Sequence, residues 1–105
     1  MSESMKALHD QWWLATLGRT VIWARLRVLE AGTAEVFDSD GNTLPYDSED
    51  TARAALMDAE FAALDGLDAE DADERGFALD ELVPPQVEDE TRLREAMLQK
   101  LPKRL

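Results

Sequence analysis

The side chains whose types and spacing come nearest to a known chemistry lie between positions 38 and 49. The first, third, fifth and twelfth positions of an EF-hand calcium loop are filled here by Asp38, Asp40, Asn42 and Glu49. Oxygen ligands at alternate positions, closed by a bidentate glutamate, would wrap a hard cation. A weak calcium-binding module is therefore one functional alternative for this chain.

Two positions in the same stretch do not suit a calcium loop. Thr43 stands at position 6, where the sharp turn requires glycine, and Pro45 stands at position 8, where an apolar residue is expected. The residues before Asp38 also have the pattern of a strand rather than of an entering helix. Because Asp, Asn and Gly recur in ordinary turns, an Asp-Gly turn followed by a capped helix is the simpler interpretation. We therefore predict no metal and no other cofactor.

His9 is the single histidine, and Asp10 stands beside it. A catalytic triad also needs a nucleophile, but the chain has no cysteine and no serine in a nucleophile motif. Neither a P-loop nor a GxGxxG motif is present. We therefore predict a non-enzymatic protein with no catalytic residue.

The formal net charge of −12 narrows the range of partners. Residues 35–90 carry 19 acidic side chains and two basic ones, whereas residues 91–105 are net basic. An acidic surface repels phosphate backbones and anionic lipid, so we predict no direct binding to nucleic acid or membrane. A protein with a basic surface is the expected partner. The alternatives are a nucleic-acid mimic that inhibits a basic protein, and acidity that serves solubility alone.

Trp12 and Trp13 are candidate partner-binding residues, because exposed tryptophan is enriched at binding hot spots. Adjacent residues of a helix point about 100° apart, so one of the two should be less buried than the other. The alternative is that both pack in the core together with Trp23.

A second candidate surface for partner binding is the run from position 65 to position 74, where six of ten residues are acidic. Such a run could engage a basic patch and speed association by electrostatic steering. The candidate contact residues are Asp68, Glu70, Asp71, Asp73 and Glu74. The alternative is a solvated turn whose charges only keep the chain hydrated.

The elements that would position these residues begin with a predicted helix over residues 4–17. Ser4 is its N-cap, and Gly18 is placed to end it in a left-handed conformation. Apolar side chains recur at helical spacing, namely Met5, Leu8, Trp12 and Ala15. The rival interpretation is a strand over residues 12–17.

A three-stranded antiparallel meander is predicted next, beginning with a strand over residues 19–29. Three-residue loops at 30–32 and 39–41 would each use a left-handed glycine. The resulting cross-strand pairs are Val28–Ala34, Leu26–Val36, Val36–Leu44 and Ala34–Tyr46. The even-numbered side chains from 20 to 46 then share one buried side. Pro45 cannot donate to a ladder, so its strand should lie at the edge of the sheet.

A long helix is predicted over residues 48–64, with Asp47 or Ser48 as its cap. It carries two apolar stripes, so we expect one to lie on the sheet and the other to meet a second helix or a partner. An acidic irregular segment follows, in which Asp68 caps a short helical turn that ends at Gly76. A C-terminal helix over residues 89–101 completes the chain.

The predicted fold class is α+β: an N-terminal helix, a three-stranded antiparallel meander, a long helix, an acidic irregular segment and a C-terminal helix. The alternative is a small β-barrel with added helices, closed by strands near residues 12–17 and 77–83. A chain of 105 residues has the length of one domain, and a semi-independent C-terminal helix is the other possible division. The chain has no cysteine and no apolar run of about 18 residues, so we predict a cytoplasmic protein.

These observations favour a small acidic protein that binds another protein as an accessory or regulatory module. The partner would carry a basic surface, and a homo-oligomer is the other assembly that the sequence allows. The turn and capped helix of residues 38–50 are a local construction that many folds use, so they identify no family.

Overall fold

The computed structural model describes residues 7–87 and 89–101. These residues form a six-stranded antiparallel sheet with helices and turns on both faces. The strands are β1 (Ala7–Leu17), β2 (Thr20–Leu29), β3 (Ala34–Phe37), β4 (Thr43–Tyr46), β5 (Ala62–Ala63) and β6 (Leu98–Lys100). The helices are α1 (Glu49–Asp58), α2 (Ala69–Glu74) and α3 (Glu90–Ala96), and 3-10 turns occupy Leu64–Gly66 and Leu79–Glu81. The strands follow the order β4-β3-β2-β1-β5, and β6 pairs with the first residues of β2. The fold is therefore mixed α+β.

The predicted N-terminal helix is wrong, because residues 7–17 form β1 and the rival strand interpretation is right. Leu17 and Thr20 close a two-residue turn to β2. Gly18 has a φ of 59° in this turn, which is the conformation that a type II′ hairpin turn requires at its first central position. Positions 4–6 of the predicted helix lie outside the described residues.

The sequence of β1 does not show the alternation of apolar and polar residues that is typical of a strand, because its central residues are buried on both faces. Trp13 and Leu14 point to opposite faces of the sheet, yet they are 1% and 0% exposed. A strand that is buried on both faces has an apolar run instead of a clean alternation. The pattern in this stretch therefore matches a helix as well as a strand.

The predicted pairing of β2, β3 and β4 is confirmed, including its register. The observed pairs include Val28–Ala34, Leu26–Val36, Val36–Leu44 and Ala34–Tyr46. Gly32 and Gly41 have φ angles of 89° and 86°, as the two loops need. Pro45 lies in β4, at the outer edge of the sheet.

The sheet buries side chains on both faces, whereas one buried side is predicted for residues 20–46. The face covered by α1 holds Trp13, Ala24, Leu26, Val28, Ala34, Val36, Ala52 and Leu56. The opposite face holds Leu14, Val21, Trp23, Phe37, Ala72, Phe77, Leu82, Leu93 and Met97. The buried even-numbered side is thus present in β2 and β3, but Leu44 of β4 is 47% exposed, and the chain after α1 covers the other side as well.

The predicted long helix is also wrong, because α1 ends at Asp58 instead of position 64. Its start agrees with the sequence: the Ser48 side chain caps the helix and accepts a hydrogen bond from the Thr51 N–H at 3.1 Å. The residues after Asp58 turn back toward the sheet and form β5. The helix therefore has fewer than three turns.

A hydrogen-bonded closure without glycine ends α1. Phe61 N donates to Leu56 O at 2.9 Å, and Glu60 N donates to Met57 O at 2.9 Å, which is the Schellman arrangement. Glu60 takes the left-handed position with a φ of 67°. Because glycine normally marks this position, the sequence contains no signal for the end of the helix.

The C-terminal helix is shorter than predicted, since α3 ends at Ala96 and β6 follows. Leu93 and Met97 are 1% and 0% exposed and pack into the sheet, and Trp23 N donates to Met97 O at 2.8 Å. Residues 77–83 contain a 3-10 turn rather than a strand, so the barrel alternative is wrong too. The described residues include no helix with the length and apolar character to cross a membrane.

The short helix α2 is the part of the acidic segment that the sequence predicts correctly. Asp68 caps it and forms a capping box with Asp71, and Gly76 ends it with a φ of 90°. Phe77 N donates to Ala72 O at 2.9 Å across this end. Both residues are fully buried, so the end of α2 fixes the acidic segment to the core.

Candidate functional site

Among the described residues, the outer edge of β1 is paired over only a short length. β5 meets β1 at Trp13 and Leu14 alone. The 3-10 turn Leu64–Gly66 follows, and its Asp65 and Gly66 lie near β1 without continuing the strand. Residues 7–12 of β1 therefore have no described strand on their outer side.

The backbone of Asp10 directs its N–H and C=O toward this open edge. Bonded and non-bonded pairs alternate along an antiparallel ladder, and a two-residue turn makes its closing pair, Leu17 and Thr20, a bonded one. In the observed register the odd-numbered residues, Gln11 included, then bond to β2. The even-numbered residues face outward, as the pairing of Leu14 with β5 requires.

A groove lies beside the open edge. Its first part has a volume of about 410 Å³ and is lined by His9, Asp10, Gln11, Trp12, Arg53, Ala63, Asp65 and Gly66. A second part of about 260 Å³ shares Arg53, Ala63 and Gly66, and adds Trp13, Met57, Phe61, Ala62 and Leu67. We call the two parts together the edge groove.

The two parts of the edge groove differ in chemistry. Charged and polar side chains line the first part. The second part is mainly apolar: Met57 is 54% exposed, and Phe61 and Leu67 are half-buried. An apolar pocket beside a polar rim is the usual composition of a surface that binds another protein.

Arg53 stands between the two parts, and its neighbours hold it in place. Its guanidinium carbon lies 5.1 Å from the centroid of the Trp13 ring, a distance typical of a cation–π contact. Its Nη1 donates to Gln11 Oε1 at 3.0 Å and lies 3.9 Å from Glu49 Oε2. The Glu49 carboxylate also accepts a hydrogen bond from Gln11 Nε2 at 2.6 Å. This network joins α1 to β1, so the rim of the edge groove is ordered before anything binds.

The backbone of Asp10 lies at the open edge, whereas its side chain forms an ion pair with Arg27 of β2. The Arg27 Nε donates to Asp10 Oδ1 at 2.8 Å, and the Arg27 Nη2 donates to Asp10 Oδ2 at 3.1 Å. The side-chain hydrogen bonds with Asp10 raise the pKa of Arg27 above its ordinary value. The two-point contact holds this end of β1 against β2.

The structure separates the two predicted tryptophans. Trp13 is 1% exposed and packs against α1, whereas Trp12 is half-buried and lines the edge groove. The Trp12 ring meets the Trp23 ring edge to face, with 6.0 Å between centroids. One of the two is less buried, as predicted, but the two side chains lie on opposite faces of a strand rather than about 100° apart on a helix.

The predicted acidic contact residues do not line the edge groove. Asp68 and Asp71 cap α2, and Glu70, Asp73 and Glu74 are exposed on the same helix. The acidic side chain that does reach the groove is Asp65, at the start of that run. Asp65 belongs to the acidic run of residues 65–74, but it is not among the contact residues that the sequence predicts.

Two of the four candidate calcium ligands, Asp38 and Glu49, have other partners. The Asp38 carboxylate accepts hydrogen bonds from the backbone N–H groups of Asp40 and Asn42, both at 3.0 Å. Glu49 is engaged by Gln11 and Arg53, and Asp38 follows a strand rather than an entering helix. In residues 7–87 and 89–101, no group of three or more His, Cys, Asp or Glu side chains is arranged to hold a metal ion.

Sequence reasoning missed Met57, Arg53 and Asp65 as parts of one surface. The sequence predicts two apolar stripes on the helix that begins at residue 48, one of them expected to meet a second helix or a partner. It could not place either stripe beside β1, because residues 4–17 were predicted to form a helix. Comparisons with protein-family models, with curated proteins and with solved structures find no match for this chain.

Proposed function

We propose that the protein is a non-enzymatic binding module that holds another protein in the edge groove. The observation that carries this proposal is the exposed apolar pocket around Met57, which adjoins a strand edge that no described strand covers and a charged rim joined by hydrogen bonds. Apolar anchors that are surrounded by polar groups contribute most of the affinity in such surfaces. As an accessory or regulatory protein in the cytoplasm, it would act by occupying or presenting its partner.

The acidic balance supports a protein partner rather than a nucleic acid or a lipid surface. A net charge of −12 repels both of those polyanions. It attracts a basic protein surface and speeds the first encounter. Inhibition by mimicry of nucleic acid remains the alternative proposal, and it predicts that DNA displaces the partner.

Site-specific photo-cross-linking from the apolar pocket tests the proposed function. A photoreactive phenylalanine analogue is placed at Met57, 54% exposed, or at the control position Leu44, 47% exposed in β4. In native lysate, Met57 should give one defined protein adduct that Leu44 does not give.

The protein identified in that adduct is then purified and titrated with unmodified and variant chains. Met57→Asp should weaken its binding about tenfold or more, because a charge would enter the apolar pocket, whereas Leu44→Asp should leave the affinity within about twofold. Equal adducts from both positions, or unchanged affinity for Met57→Asp, would overturn the proposed function.

A further inference from the structure

We infer that the edge groove binds its partner as an added β-strand, and that this strand is an extended segment with basic side chains. This inference rests on the proposed function and specifies how the partner is held. Strand addition uses main-chain hydrogen bonds for affinity and alternate side chains for specificity.

The open slot is the direct continuation of β5. β5 runs antiparallel to β1 and stops after Ala63, and the turn Leu64–Gly66 that follows contributes Asp65 and Gly66 to the wall of the groove. The part of β1 that lines the groove, residues 9–12, could pair with a strand of about four residues, roughly 13 Å long. The outward N–H and C=O of Asp10 lie in the middle of this slot, and the first part of the edge groove provides the space.

The other outer edges of the described sheet are poorer templates for an added strand. β4 contains Pro45, which has no N–H for a ladder. β6 is three residues long and β5 only two. By contrast, residues 9–12 of β1 contain no proline, and the irregularity in the β1–β2 register lies between Ala7 and His9. Exposed edges without such protection attract further strands.

The charge of the groove and of the whole chain favours a basic segment as the added strand. Asp65 lies on the wall of the groove opposite β1, and none of the ion pairs among the described residues includes it. A lysine or arginine on the added strand could pair with Asp65 without displacing another cation. A second copy of this chain is disfavoured, because two chains with a charge of −12 repel each other.

The test uses three synthetic peptides of about eight residues. The first alternates lysine and valine, the second alternates glutamate and valine, and the third is the lysine peptide with every backbone nitrogen methylated. The third peptide keeps the charge of the first but has no N–H to donate to a ladder on either of its edges. Binding is followed by amide hydrogen exchange and by titration of the full-length protein.

Only the unmethylated lysine peptide should slow exchange of the Asp10 amide, by about tenfold or more at saturation. Asp65→Lys should weaken this peptide about three- to tenfold. Asp80→Lys changes the net charge equally at an exposed site on the Leu79–Glu81 turn, and it should change the affinity by less than about twofold.

Three results would overturn the inference. Equal protection by the methylated peptide would show attraction by charge alone, and equal binding of the glutamate peptide would exclude a basic occupant. A dimer that protects Asp10 without any peptide would make a second copy the occupant. If the partner cross-linked at Met57 binds tightly but leaves the Asp10 amide unprotected, strand addition fails while the proposed function stands.

Discussion

At the scale of single residues, two positions hold residue types that their surroundings in the fold normally disfavour. Glu60 occupies a left-handed position that glycine normally fills. Arg25 is 5% exposed in the sheet, where it pairs with Glu90 at 3.1 Å and lies over the Phe37 ring. Neither feature is visible in an amphipathic pattern, because each depends on contacts made by the folded chain.

Glu60→Gly should stabilise the protein by about 0.5–1 kcal/mol. The left-handed conformation costs a residue with a Cβ about 1–2 kcal/mol, and part of this gain is offset because glycine has more freedom in the unfolded chain. Thermal and urea unfolding measure the change. Asp58→Gly, at the last helical position of α1, is the control and should destabilise. Destabilisation by Glu60→Gly would contradict the observed closure of α1.

At the scale of elements, local turn chemistry was the most predictable part of the fold. The two glycine loops set the register of β2, β3 and β4, and Asp68 and Gly76 bound α2 as predicted. What the sequence could not show is which elements cover the second face of the sheet. The helix assigned to residues 4–17 failed for that reason, since burial on both faces of β1 removes the period of two.

The end of α2 is attached to the core through Phe77, and this contact gives a prediction about the acidic segment. Phe77→Ala should lower the free energy of unfolding by about 3–4 kcal/mol, because a fully buried ring is removed from the core. Leu79→Ala, two residues later and 37% exposed, should cost less than about 1 kcal/mol. Urea unfolding of both variants checks the contrast. Similar losses would mean that the segment after α2 is not docked as observed.

At the scale of the whole molecule, an acidic composition is combined with an edge of β1, at residues 7–12, that no described strand covers. The sequence reveals the charge directly, and the proposed class of partner follows from it. The edge groove was not predictable, because its walls come from β1, α1 and the turn after β5. The fold of the sheet and the contacts among Gln11, Arg53 and Glu49 bring those elements together, so no single motif in the chain encodes the groove.

The central claim is that β1 is a strand bonded to β2 on one side, with no described strand on its other side at residues 7–12. Native-state amide hydrogen exchange of the neighbouring residues Asp10 and Gln11 tests it most directly. The Asp10 amide should exchange at close to its unprotected rate, and the Gln11 amide at least about a hundredfold more slowly. Protection of both amides, as in a helix or beneath a covering strand, would contradict the account.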